Sequence, residues 1–183
     1  KLLAIAKEGN GSIEVRVHPV FIPDDSFLAK VDGVYNAVQV DGDLVDRVLF
    51  FGKGAGALPT SSAVIADTVS AAQEIALGVG NRTKWKLETG KTIKPMPEIE
   101  TKYYIRMSVT DRPGVLSQIA KVLGDRKIGI LSVIQKEIES TAQTAELVIM
   151  TYPAREDALQ LALNEMKQLN VVAEINNFIR VEV

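Results

Sequence analysis

Two short stretches hold the residue types that could do chemistry. The first is Gly52-Lys53-Gly54-Ala55-Gly56, followed by Ala57-Leu58-Pro59-Thr60. Glycines let a backbone come close to a ligand, and a helix starting beyond them offers N–H groups and the positive end of its dipole. The same short repeat also fits a simple tight turn. Lys53 could face a phosphate or simply be solvated. The second stretch is Asp111-Arg112-Pro113-Gly114, ahead of Val115 and Leu116. A helix start there supplies donors for a carboxylate, Asp111 supplies an acceptor for an ammonium group, and Gly114 permits close approach. Together these suit a zwitterionic amino acid. Asp111 fits the role of helix N-cap as well.

Other chemistry is narrowed by what the sequence lacks. His18 is the one histidine, no G-x-S-x-G turn accompanies it, and there is no cysteine. A serine triad, a thiolate nucleophile, a disulfide and a zinc site are therefore not expected. His18 falls on the polar side of its strand before Pro19, which suits a structural or surface role. Asn36 interrupts an apolar strand, where it can bond neighbouring backbone or approach a substrate.

The 183 residues suffice for one medium domain or two small ones, and are 46% apolar and 24% charged, the balance of a chain that buries a core. A net charge of -2 without a Lys/Arg cluster argues against nucleic-acid binding. No apolar run reaches the roughly 18 residues of a membrane span. With no signal peptide and no cysteine, a cytoplasmic protein is expected. The chain opens on Lys1 in an apolar run without an initiator methionine, which reads as a start inside a longer protein.

The elements that must position these stretches follow from periodicity. Residues 1–22 read as two strands around Glu8-Gly9-Asn10-Gly11, with Ile13, Val15 and Val17 expected inward and Glu14, Arg16 and His18 outward. Pro19 and Pro23 are expected to end pairing. Residues 34–40 and 44–51 read as a hairpin turning at Asp41-Gly42 with positive φ. Ile65, Val69, Ala72 and Ala76 recur at helical spacing up to a stop at Gly78, with Pro59 and Thr60 as first-turn and capping residues. Four strands and one helix make a poor closed domain, so their apolar faces are expected to need partners. Residues 79–101 break the pattern and read as a linker with a short strand near Thr92.

From Lys102 the order is strand, helix, strand, strand, helix, strand. Tyr103, Ile105, Met107 and Val109 form one strand face. Val115, Ile119 and Val122, with Leu116, Ala120 and Leu123, form the first helix stripe. Leu159, Ala162, Leu163 and Met166 form the second. The fold class is α+β: a partial antiparallel sheet-plus-helix segment over 1–78, then a ferredoxin-like βαββαβ domain over 102–183.

The string Y-I-R-M-S-V-T-D-R-P-G-V-L-S-Q-I-A from Tyr104 to Ala120 resembles the opening of an ACT domain, a regulatory module usually for amino acids. His18-Pro19, the run Leu28 to Val38, Phe51-Gly-Lys-Gly-Ala-Gly56 and Pro59-Thr-Ser-Ser-Ala63 resemble homoserine dehydrogenase, in order. Ser132-Val-Ile-Gln-Lys-Glu137 resembles that family's ACT domains. The resemblance implies that 1–78 is the C-terminal part of the catalytic, substrate-binding domain and 102–183 a regulatory ACT domain. It implies a parent enzyme that reduces aspartate semialdehyde to homoserine with NADPH or NADH, in threonine, methionine and isoleucine synthesis. Gly56, with Gly54 beside it, is then expected near the cofactor. Asp111, Gly114, Val115 and Leu116 are expected to bind an effector, with threonine the one pointed to. The family's acidic substrate-binding residues and catalytic lysine are expected upstream of Lys1, and no G-x-G-x-x-G fingerprint is present. No catalytic or metal-binding residue is therefore assigned, and this chain alone is expected to bind no cofactor and to be inactive. A homodimer or larger is expected. Many amino-acid-binding ACT domains carry asparagine where Gly129 stands here, and Gln135 could compensate. The alternative is a dimerisation module that binds no effector.

Overall fold

Local periodicity becomes regular structure nearly everywhere in the computed structural model, which describes residues 1–9, 11–79, 90–137 and 144–182. In chain order the elements are β1 (Leu2–Gly9), β2 (Ser12–Phe21), β3 (Tyr35–Gly42), β4 (Asp46–Lys53), α1 (Ala57–Ala76), β5 (Thr92–Ile93) and β6 (Glu100–Thr110). They continue with α2 (Val115–Asp125), β7 (Ile130–Glu137), β8 (Thr144–Thr151), β9 (Ala154–Arg155), α3 (Glu156–Met166) and β10 (Val172–Val181). The expected short strand near Thr92 is β5. Among the turn residues named above, Asn10 lies outside the described residues, as do positions 80–89 of the expected linker.

The chain divides into two compact units, Lys1–Ile22 with Gly90–Val183, and Pro23–Thr89. The larger unit is built on one sheet of order β1-β2-β10-β6-β8-β7, with β5 added to β2 and β9 to β6. Its β6-α2-β7-β8-α3-β10 portion is the expected βαββαβ fold, β6 lying between β10 and β8 and pairing antiparallel with both. Alternation on β6 buries Tyr103, Ile105, Met107 and Val109 on the helix-covered face. They meet Ile119 and Leu123 of α2, Leu147 and Ile149 of β8, and Leu159, Leu163 and Met166 of α3. Each such large apolar side chain contributes about 1.5–3 kcal/mol when fully buried.

The first two strands belong to this sheet rather than to the segment that follows them in sequence. β2 pairs antiparallel with β1 and parallel with the end of β10, at Val20 with Arg180 and Phe21 with Val181. Strand pairing, not sequence adjacency, groups residues 1–22. The period of two in β2 holds, but the expected faces are reversed. Arg16 and His18 are buried, while Val15 and Val17 are 54% and 67% exposed. The inward polar face is tolerated because Arg16 is ion-paired with Glu14 and Glu182. Pro19 does not end the strand. Lys1 and Val20 exchange both backbone bonds, so the adjacent Leu2–Pro19 position is a non-hydrogen-bonded pair, where β1 asks for no proline N–H.

In the smaller unit β3 and β4 form an antiparallel hairpin, with Tyr35 and Phe51 stacked at 4.9 Å. Its turn lies at 43–45. Asp41 and Gly42 are already paired with Arg47 and Asp46. The positive φ expected at Asp41-Gly42 falls instead on Asp46, at 53°, the paired residue that follows the loop. α1 starts two residues earlier than Pro59, behind Gly56 as N-cap, and stops at Gly78 with φ 63°. No residue of α1 is buried, and Ile65 and Val69 remain exposed.

Candidate functional site

In the larger unit the loop between β6 and α2 closes one end of the sheet. Gly114 is the N-cap of α2 with φ 88° and ψ -6°, left-handed backbone that a side chain strains. No side chain caps this helix start. Asp111 is therefore not the cap, and its carboxylate instead accepts a 3.2 Å hydrogen bond from Nε2 of Gln135 on β7.

A cavity of about 380 Å³ opens here. It is lined by all four residues expected to hold an effector, Asp111, Gly114, Val115 and Leu116, and also by Thr110 and Gln135. Its apolar wall is made by the buried Val109, Val115 and Leu147. Leu116 is the member of the α2 stripe that leaves the core: it is 41% exposed, against 0–5% for Val115, Ile119, Val122 and Leu123. Thr110 was not singled out by the sequence. Its hydroxyl oxygen is buried and has no hydrogen-bond partner among the described residues. The alternation of β6 buries Val109 and puts Thr110 on the other face, so the strand pattern did not point to it. The arrangement offers an acceptor at Asp111, backbone donors at the start of α2 and an apolar wall, which are the parts needed to hold a small zwitterion.

Gly129 does not extend into this cavity. A side chain there would meet the ring of Tyr152, whose Cδ2 lies 3.1 Å from the position a Cβ would take. The Tyr152 N–H donates to the Gly129 carbonyl at 2.9 Å.

Far along β6 from this loop lies a buried ionic cluster that the sequence did not reveal. Glu156, the first residue of α3, is 5% exposed. Its carboxylate accepts from Arg180 Nε at 2.9 Å, Gln160 Nε2 at 2.8 Å and the Tyr103 hydroxyl at 2.9 Å. Burial pushes the Glu156 pKa up, but these three donors outweigh it and the net shift is downward. Burial, joined by the Glu156 charge, drives the Tyr103 phenol well above its ordinary value. For Glu182, burial is likewise outweighed, by Lys7 and Arg16, and its pKa is lowered. His18 is 8% exposed; its Nδ1 lies 2.9 Å from the Pro19 carbonyl, and its Nε2 is buried without a partner among the described residues.

In the smaller unit the glycine loop sits between β4 and α1, as expected. Gly56 has φ 127°, a conformation side chains rarely adopt, and caps a 20-residue helix with no side-chain cap. Gly54 differs: what comes close to it is Asn36, not open space. Lys53 is exposed at the end of β4. Both glycines are exposed, so a ligand could meet backbone at either, with the Asn36 side chain beside Gly54. No group of three or more His, Cys, Asp or Glu among the described residues is placed to hold a metal ion. No helix among them is long and apolar enough to cross a membrane.

Comparison with known proteins bears on both units. Residues 1–69 match the family model for homoserine dehydrogenase, and residues 103–171 that for the ACT domain. The homoserine dehydrogenase of Neisseria gonorrhoeae is 39% identical over 187 residues, covering 100% of this chain and 43% of the relative. That of Helicobacter pylori is 41% identical over 183 residues, covering 100% and 42%. The crystal structure of a homoserine dehydrogenase from Thiobacillus denitrificans superposes with a TM-score of 0.89 at 35% identity, over 100% of this chain and 42% of that one. The chain spans about two fifths of the length of these relatives. Together the matches fit a C-terminal segment of a homoserine dehydrogenase that carries an ACT domain.

Proposed function

We propose that this chain, a segment matching the C-terminal part of homoserine dehydrogenases, is the regulatory end of such an enzyme and binds an amino-acid effector, threonine, between β6 and α2. The observation that carries the reading is the cavity shared by Asp111, Gly114, Val115 and Leu116, with an acceptor and an uncapped helix start at one end of an apolar wall. The effector's ammonium would displace the Gln135 amide from Asp111, and its carboxylate would face the N–H groups at the start of α2. Val109, Val115 and Leu147 would take its side chain. Residues 102–183 are then the ACT domain, to whose sheet 1–22 add β1 and β2, and 23–78 belong to the substrate domain.

For the parent enzyme the reading is NADP- or NAD-dependent reduction of aspartate semialdehyde to homoserine. The cofactor would supply the hydride, and this chain would present the Gly56 backbone and the start of α1 to it. We assign the chain no catalytic residue and expect no turnover from it alone.

Calorimetric titration of the chain with threonine tests the effector reading. Gly114→Asp is a poor probe, because φ 88° makes any side chain there strained before a ligand arrives. Asp111→Ala is cleaner. Losing one charge-assisted bond costs about 1.5–3 kcal/mol, roughly a tenfold to hundredfold weakening. No heat with the wild type would favour a dimerisation module without an effector, and equal affinities in two folded proteins would remove Asp111 from the site.

A further inference from the structure

We propose that Asn36 is the positioning residue of the Gly54–Gly56 loop, its side-chain amide filling the space that any side chain at position 54 would need. The two glycines of the loop are required for different reasons. Gly56 has a left-handed φ of 127°, so its backbone conformation excludes other residues. Gly54 is not among the positive-φ glycines. There the exclusion is by contact: a Cβ would fall 1.7 Å from Asn36 Nδ2 and 2.5 Å from its Cγ. A side chain at position 54 fits only if the Asn36 amide turns away from the loop.

The backbone brings the two together. Asn36 is the second residue of β3 and pairs with Gly52 of β4. The Gly54 N–H then donates to the Val34 carbonyl at 3.1 Å, which carries the loop back across β3 as it leaves β4. Gly54 thus passes under the Asn36 side chain two residues before the N-cap of α1. An asparagine amide has two donors and an acceptor on a short stem, so Asn36, resting against Gly54, also sets a polar group close to the loop that leads into the helix. Where the parent is a nicotinamide-dependent dehydrogenase, the reading above on which this last step rests, a shift of the loop would move Gly56 relative to the cofactor.

The test is a cycle of Gly54→Ala, Asn36→Gly and the double variant in the full chain, read by amide resonances and hydrogen exchange of residues 52–57. Gly54→Ala is expected to move these resonances and speed their exchange, and the double variant to return towards wild type. A double variant no closer to wild type than Gly54→Ala overturns the proposal. Should Gly54→Ala fail to fold, Asn36→Gly alone decides, because it removes atoms and cannot clash: an unaltered loop overturns the proposal and a loosened loop supports it. In the full-length enzyme, Asn36→Gly is expected to raise the KM for nicotinamide cofactor about fivefold while kcat stays within about twofold. An unchanged KM with a loosened loop overturns the link to the cofactor. If the full-length protein reduces no aspartate semialdehyde, the dehydrogenase reading fails, and the resonance cycle still decides the role of Asn36.

Discussion

Truncating Glu156 tests what the buried ionic cluster contributes. Glu156→Ala would remove a carboxylate held by two Arg180 nitrogens at 2.9 and 2.8 Å, by Gln160 and by the Tyr103 hydroxyl. What remains is a guanidinium on a side chain only 16% exposed and a phenol on a residue with none of its surface exposed. Breaking one side of a buried pair costs about 3–5 kcal/mol, because the other charge stays behind without its partner. For a chain of this size each kcal/mol lowers Tm by about 2–4 °C, so the expected fall is roughly 6–20 °C. Glu156→Gln keeps the shape and loses the charge, and should fall between the two proteins. Urea and thermal unfolding by circular dichroism measure the loss. Amide exchange on β6 and α3 should accompany it, because two compact units need not unfold as one. A loss of about 0.5 kcal/mol or less for Glu156→Ala, the range of an ordinary surface change, would show that the cluster adds little to stability.

Acid should expose the same cluster. Burial raises the Glu156 pKa, but Arg180, Gln160 and Tyr103 bring it below its ordinary 4.5. A carboxylate depressed on folding stabilises above its unfolded pKa and stops doing so as pH falls through the folded value. Wild type should therefore lose more stability than Glu156→Gln as pH drops below about 4.5, and parallel pH profiles would contradict this. Leu2, Val15 and Val17 lie exposed on one face of the β1–β2 pair, and such apolar surface favours association. Light scattering at high micromolar concentration should show a homodimer or larger, and a clean monomer would count against it.

The sequence made the helix-covered domain legible because each of its elements buries one face against one core. Tyr103 to Val109 at period two and Leu159 to Met166 at helical spacing were enough to order six elements. The faces of β2 were misjudged for a physical reason. Alternation gives the period but not the side, and charge on Arg16 suggested water, whereas Glu14 and Glu182 neutralise it inside. Glu182 is 166 residues away from Arg16, a separation no local pattern spans. The same holds for Glu156, whose partners come from β6, β10 and its own helix. Asp41-Gly42 carried a strong turn signal, yet both residues stay paired, the hairpin turns beyond them at 43–45, and its left-handed residue is Asp46. At the glycine loop the residue types were legible and the reasons were not. Only the fold shows that Gly56 answers to backbone and Gly54 to Asn36.

An amino-acid site between β6 and α2 can be sought by titrating isotopically labelled chain with threonine and following its amide resonances. Saturable shifts centred on residues 109–116 are expected, with Gln135 and Leu147 following, and their loss in Asp111→Ala. Saturable shifts centred elsewhere in the chain, or none up to millimolar threonine, would contradict it.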